Sequence, residues 1–204
     1  MKVSTNRDKF LWLGNRVALD FVNTEVHPEG RIEELLQTPD DLLHWLTEAG
    51  LVKGKIAQIA TELGDDELER ALKGAWDYRK QIRGGLAATG FRKSIPDTLV
   101  VRTNHLLAVP TRVGRLILDQ RGGRKLASEW EFTTGEDLLR PIAAATAELL
   151  VDRDARRIRR CRNPDCILYF YDVSKSNTRA WCSLDICGNK SRAADFRKRH
   201  SRKS

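Results

Sequence analysis

Cys161-Arg162-Asn163-Pro164-Asp165-Cys166 and, fifteen residues further on, Cys182-Ser183-Leu184-Asp185-Ile186-Cys187-Gly188-Asn189 contain all four cysteines of the 204-residue chain. Two Cys-x4-Cys pairs at this separation suit a tetrahedral ion held by four thiolates, the closed arrangement of a structural Zn²⁺ site. Each pair needs a tight reversal to turn both sulfurs inward. Asn163-Pro164-Asp165 supplies turn-forming residues to the first pair. Gly188-Asn189, which tolerates a left-handed backbone, follows the second. Ser183 and Asp185 can cap a helix starting there and running through Arg192, Ala193, Phe196 and Arg197 to about His200. Between the pairs, Ile167-Leu168-Tyr169-Phe170-Tyr171 reads as a strand, Ser174 to Asn177 as a turn, and the segment ending at Trp181 as the returning strand. The local expectation is a knuckle, a short hairpin and a helix, with Phe196 and Ala193 facing inward against Trp181 or Phe170.

Other uses of four cysteines fit less well. Two disulfides require an oxidising compartment, and the N-terminus, Met1 to Asp8, lacks the apolar core of a signal peptide. A catalytic zinc keeps an open position and takes His or carboxylate ligands, whereas the nearest histidine, His200, stands thirteen residues past Cys187. An iron–sulfur cluster accepts the same four thiolates, and spacing alone does not separate it from zinc. Pairs that bracket a hairpin and a basic helix favour zinc.

Charge is segregated around this stretch. Residues 153–204 carry fifteen Lys/Arg against five Asp/Glu, a formal +10, and residues 1–152 carry 21 against 23, or −2. Four thiolates and one Zn²⁺ bring the C-terminal segment to about +8. Cations concentrated beside a metal-fixed helix are the footprint of a polyanion-binding module, because neutralised phosphates release condensed counterions. The abrupt change at Arg153 divides the chain into residues 1–152 and 153–204. Hydrophobic content of 41% and charged content of 31% describe a folded chain. No apolar run approaches a membrane span, and a cytoplasmic location suits reduced cysteines.

Upstream of the boundary the pattern is mainly helical. Thr133 to Asp137 caps a helix with Leu138, Ile142, Ala145 and Leu149 on one face, Pro141 being tolerable near its first turn. Val113 to Gln120 and Lys125 to Phe132 flank Arg121-Gly122-Gly123-Arg124 as a hairpin. Ile95-Pro96-Asp97 opens a helix through Asn104 to Leu107. Asp65 to Ala88 is the longest helix, with Arg79 inside the stripe of Leu68, Leu72, Ala75, Ile82 and Leu86. Thr38-Pro39-Asp40-Asp41 starts a helix whose Leu42, Leu43, Trp45 and Leu46 form an apolar face. Leu19-Asp20-Phe21-Val22-Asn23-Thr24 reads as a short helix carrying polar residues among apolar ones. Those residues either bond to local backbone or wall a polar pocket. No Ser/His/Asp set, metal-ligand spacing or phosphate loop appears in residues 1–152, so the sequence points to no enzyme.

Cys182 to Asn189, with Trp181 before it and Phe170-Tyr171-Asp172-x-Ser174 upstream, resembles the CGNR zinc finger. Leu19 to Thr24 and Asp41-Leu42-Leu43-x-Trp45-Leu46 before Gly50-Leu51 resemble the ABATE domain, which precedes that finger in stress-induced bacterial transcription regulators. One departure is that Lys190 stands where the finger family has arginine, while Arg192 stands where lysine is usual. The resemblance implies an α+β protein: a mainly helical N-terminal domain with one β-hairpin that senses an effector or dimerises, and a small four-cysteine zinc module that binds DNA. The ligands of one Zn²⁺ are then Cys161, Cys166, Cys182 and Cys187. DNA contacts fall to Arg179, Lys190, Arg192, Arg197, Lys198 and Arg199. Asp20, Asn23, Arg79 and Asn104, the last two at positions recurring in the family, are the candidate effector pocket. The alternative reading is a zinc-stabilised module that docks RNA or protein without sequence-specific DNA binding.

Overall fold

The computed structural model describes residues 9–52, 56–89, 94–108, 112–118, 124–152, 154–193 and 196, with backbone alone for the hairpin residues 112–118 and 124–129. Its helices are α1 (Val17–Val22), α2 (Pro39–Glu48), α3 (Ile56–Leu63), α4 (Asp65–Thr89), α5 (Asp97–Leu107) and α6 (Arg140–Leu150). Strands pair in twos: β1 (Glu25–Val26) with β2 (Glu33–Glu34), β3 (Arg112–Leu118) with β4 (Arg124–Trp130), and β5 (Ile158–Arg160) with β6 (Tyr169–Tyr171), all antiparallel. This is the expected mainly helical α+β architecture. The expected hairpin is β3–β4, its turn at 121–123 lying outside the described residues, and the short β1–β2 ladder is a second pairing in the N-terminal part.

Local chemistry explains the helix starts. Thr38 accepts from the Asp41 N–H and donates its own backbone N–H to Asp41 Oδ2, a capping box with Pro39 in the first turn. Thr134 and Asp137 repeat the device ahead of α6, through a 3-10 turn at Gly135–Leu139. Pro141 falls in the first turn of α6, where its missing N–H costs nothing. Gly135 is dictated by packing: a Cβ there would stand 1.9 Å from the Glu67 carbonyl oxygen of α4. Its N–H donates to Glu67 Oε2 at 2.7 Å.

The core is one continuous body. Helix α1, apolar on all sides except at Asp20, is buried from Ala18 to Val22, as such a helix must be. Phe21 and Trp45 pack ring against ring at 5.3 Å, and α4 presents Leu68, Leu72, Ala75, Ile82 and Leu86 to the same interior. Ile158, Tyr169 and Tyr171 join this cluster although they lie past the compositional boundary at residue 153. The division of the sequence is therefore not a division of the packing. A second, small cluster gathers the four cysteines with Leu168 and Phe170, and Leu11, Leu13 and Trp181 lean on it.

Two local expectations in the C-terminal part are corrected. First, β6 pairs with β5, upstream of Cys161, and not with the segment returning to Trp181. Directly after β6 the Asp172 carboxylate accepts from the N–H and hydroxyl of Ser174 and from the Arg179 N–H, which turns the chain out of the sheet. Arg157 and Arg159 then donate to the carbonyls of Asp172, Ser174, Asn177 and Arg179. Side chains supply the partners that a returning strand would have supplied. Second, the chain after Gly188 is helical over 189–193, but Ala193 and Phe196 are exposed, Phe196 to 56%, and do not face the finger core. With Phe170 fully buried and already covered by Arg179, the small core has its own lid.

Candidate metal centre and nucleic-acid interface

Strand β5 delivers Cys161, whose N–H donates to the Leu168 carbonyl at 2.9 Å and closes the first knuckle on itself. Within it the Cys166 N–H returns to the Asn163 carbonyl, and the Asp165 N–H to Asn163 Oδ1. On the other side, Ser183 Oγ accepts from the Ile186 N–H, and the Ser183 carbonyl accepts from the N–H groups of Cys187 and Gly188. This widened turn at Leu184–Gly188 places Cys182 and Cys187 at its two ends.

The four Sγ atoms lie within 4.8 Å of one another, and all four cysteines are buried. Cys166 to Cys182 is 3.8 Å and Cys182 to Cys187 is 3.6 Å. A Zn–S bond of about 2.3 Å gives a tetrahedron with an edge of about 3.8 Å. The sulfurs thus stand at coordination spacing and far outside disulfide bonding distance. Backbone and amide donors support them: the Cys182 N–H points at Cys161 Sγ (3.4 Å), and Asn163 Nδ2 at Cys187 Sγ (3.5 Å). Without a cation the cluster divides its protons unevenly. Hydrogen bonds from Cys166 and Cys182 draw Cys161 down to about 2, while the same sharing pushes Cys166 up to about 12 and Cys182 further up. Four thiolates coexist there only around a positive ion, which Zn²⁺ supplies.

The expected DNA-contacting residues fall into three groups. Lys190 and Arg192 are exposed on the helical segment after Cys187, with Arg192 Nη1 loosely on Asn189 Oδ1 at 3.4 Å. Arg197, Lys198 and Arg199 lie outside the described residues. Arg179 turns inward: its guanidinium covers Phe170 at 4.2 Å, Nε donates to the Trp181 carbonyl at 2.9 Å, and Nη2 donates to the carbonyls of Cys182 and Leu13. Those donors bind the chain itself and tie the metal loop to residue 13. Arg162, on the first knuckle, is exposed alongside Lys190 and Arg192.

The four residues of the expected effector pocket separate. Asn104 is exposed on α5, while its neighbour Thr103 is the buried one, bonded to the Tyr78 hydroxyl at 2.8 Å. Arg79 is buried and occupied: Nη1 donates to Thr24 Oγ1 (2.7 Å) and Glu34 Oε1 (2.8 Å), Nη2 donates to Glu34 Oε2, and Glu25 stands 3.7 Å away. Glu25 and Glu34 oppose each other across the β1–β2 ladder, so Arg79 offsets two carboxylates that would otherwise repel. Asn23 docks the C-terminal part. Its Nδ2 donates to the Tyr169 carbonyl at 2.8 Å, and its Oδ1 accepts from the Tyr169 N–H at 2.9 Å, both buried. Asp20 accepts from the N–H groups of Leu13 and Gly14, and burial pushes its pKa up to about 6 against those bonds. Gly14 is required there, since a Cβ would stand 2.9 Å from Asp20 Oδ1.

Further contacts of this junction were not singled out in the sequence. Arg83 donates to the carbonyls of Ile167, Val22 and Glu25. The Gly14 carbonyl accepts from the Tyr171 N–H at 2.7 Å, and Asn15 Nδ2 donates to the Tyr171 carbonyl at 2.9 Å. A cation in a helix stripe was the available signal for Arg83; its partners are backbone carbonyls, which no residue pattern records.

The ABATE profile, described as "Putative stress-induced transcription regulator", matches residues 15–153. The chain belongs to the ABATE family. In this ABATE chain the CGNR zinc finger profile follows at residues 157–200 and takes in all four cysteines, which makes their cluster a structural zinc site. No curated protein matches the chain. No helix among the described residues of this ABATE protein is long and apolar enough to cross a membrane.

Proposed function

We propose that the chain is a transcription regulator that grips duplex DNA with its zinc module, the segment after Cys187 serving as the contact element. The observation that carries this reading is the sorting of cations around the metal. Arg157, Arg159 and Arg179 point into the fold, whereas Arg162, Lys190 and Arg192 are exposed about the turn that the zinc ligands hold. Zn²⁺ in this role is structural. It fixes where the helical segment leaves the molecule, and all chemistry with DNA belongs to the side chains. The N-terminal domain fixes the finger in place and, in the fuller form of the reading, senses a ligand that alters that placement. Arg79 is held by Glu34 and Glu25, so an anionic effector would act by displacing Glu34.

Selection of bound sequences from random duplex DNA by the full-length zinc protein tests the reading, and an enriched motif is the expected result. Arg192→Ala should weaken binding similarly on all sequences and lower the log–log salt slope by about 0.9. Arg179→Ala should leave that slope unchanged, because its guanidinium faces the chain's own carbonyls. Equal competition by structured RNA, or no enrichment, overturns the reading in favour of docking to another partner.

A further inference from the structure

Two exposed large apolar side chains among the described residues stand on the tightest part of the metal site. Leu184 is 62% exposed and Ile186 47% exposed, and both lie between Cys182 and Cys187. Nothing about this turn is loose. Its ends are zinc ligands, Ser183 caps it through the Ile186 N–H, and Asn189 Nδ2 donates back to the Asp185 carbonyl at 3.1 Å. A rigid turn that holds two branched apolar side chains in water has a surface cost that burial against a partner removes.

The charge around the turn selects the partner. Past Cys187 the chain carries seven Lys/Arg against one Asp. Arg162 is exposed on the first knuckle, whose Asn163 reaches Cys187 Sγ. The nearby acids are Asp185 in the turn and Asp165 in the knuckle, both exposed. A second copy of this chain would bring two zinc-bound segments of about +8 each together over an apolar contact of two residues a side. That is far below the roughly 1,000 Å² a stable interface needs. Duplex DNA offers the complementary combination, phosphates at the rim with sugar edges between them and apolar base faces that are uncovered when a base step is unstacked.

We propose that Leu184 and Ile186 form an apolar wedge that enters a groove of duplex DNA and partly unstacks one base step, while Lys190 and Arg192 hold the flanking phosphates. Wedges of Leu and Ile placed by a rigid scaffold kink the duplex in this way. The inference rests on the DNA-binding reading above and adds to it a mode of contact: the finger deforms its site as well as neutralising it. Flexible pyrimidine–purine steps at the centre of the site would then be preferred, because they unstack most readily.

The test uses full-length, zinc-loaded protein, a short duplex of the selected sequence with fluorophores at its two ends, and the double variant Leu184→Ala/Ile186→Ala. Wild-type protein should shorten the end-to-end distance. The double variant should bind about tenfold or more weakly, with the salt slope unchanged, one zinc per chain retained and the distance restored toward that of free DNA. Leu184→Met/Ile186→Val should recover most of both. Wild-type binding with no bend, or a double variant matching wild type in affinity and bend, overturns the wedge and leaves the DNA-binding reading standing. So does a fall in salt slope in the variant, which would mean that phosphate contacts were lost instead. Wild-type protein that ignores duplex DNA overturns both.

Discussion

The N-terminal helical part and the zinc finger are stabilised on different principles. The first owns a large apolar interior, in which Trp45, Tyr78 and Phe21 are fully buried. Among the described residues the second has a separate apolar cluster of six buried side chains, four of them cysteines. A core of that size does not offset the conformational entropy of some forty residues, so the metal must. Yet Ile158, Tyr169 and Tyr171 sit in the larger core, and β6 is hydrogen-bonded to Asn23, Gly14 and Asn15. The finger is thus metal-dependent on one side and domain-dependent on the other, and its orientation is set by both.

Removing the metal has the largest expected effect. Structural zinc in small fingers supplies about 10–16 kcal/mol of apparent binding energy. Cys182→Ser should lose zinc by elemental analysis and lose ordered structure over 161–193, while α1 to α6 keep their helical circular dichroism with a lower melting temperature. An unchanged melting temperature would show that the shared strand contributes nothing to the N-terminal part. The shared core also bears on truncation: a fragment ending at Val151 uncovers the face of α1 that β6 covers, and should be less stable than the full chain in urea.

A smaller effect isolates the junction. Asn23→Ala strands the buried N–H and carbonyl of Tyr169 and should cost about 2–4 kcal/mol in urea unfolding. Zinc stoichiometry should stay at one per chain. Loss of zinc in that variant would mean that the finger depends on the domain even for its metal, a sharper coupling than the geometry requires.

The smallest effect is pH-dependent. Asp20 titrates near 6 in the fold and at the ordinary carboxylate value of 3.8 when unfolded. The folded state therefore holds a proton that the unfolded chain has released, and the stability this confers is fully present below the unfolded pKa and lost as pH rises through 6. Between pH 5 and 7 the loss should be about 1 kcal/mol. It should be absent in Asp20→Asn, with both proteins unfolded in urea at each pH. Because Asp20 holds the Leu13–Gly14 N–H groups whose carbonyls bind Arg179 and Tyr171, the same titration should alter hydrogen exchange at Tyr171.

Much of this molecule is legible one residue at a time. Thr38 and Asp41 cap α2 because a capping box needs only their spacing, and α4 follows its stripe because a helical period needs only a buried face. The four cysteines declare a metal because thiolate count and spacing define the site before any fold exists. Charge segregation past residue 153 is likewise a property of the chain alone. What the sequence could not determine is what each polar side chain faces. Arg179 and Arg192 are chemically identical and thirteen residues apart, yet one covers Phe170 and the other faces solvent. Asn23 was legible as a polar residue among apolar ones, but its partner is main chain 146 residues away. Strand β6 turned to β5 because Arg157, Arg159 and Asp172 satisfied the loop that would have been its other neighbour. Composition and period fix local structure through short-range sterics and burial. Backbone donors and acceptors carry no side-chain identity, so only the assembled fold decides which polar group meets which.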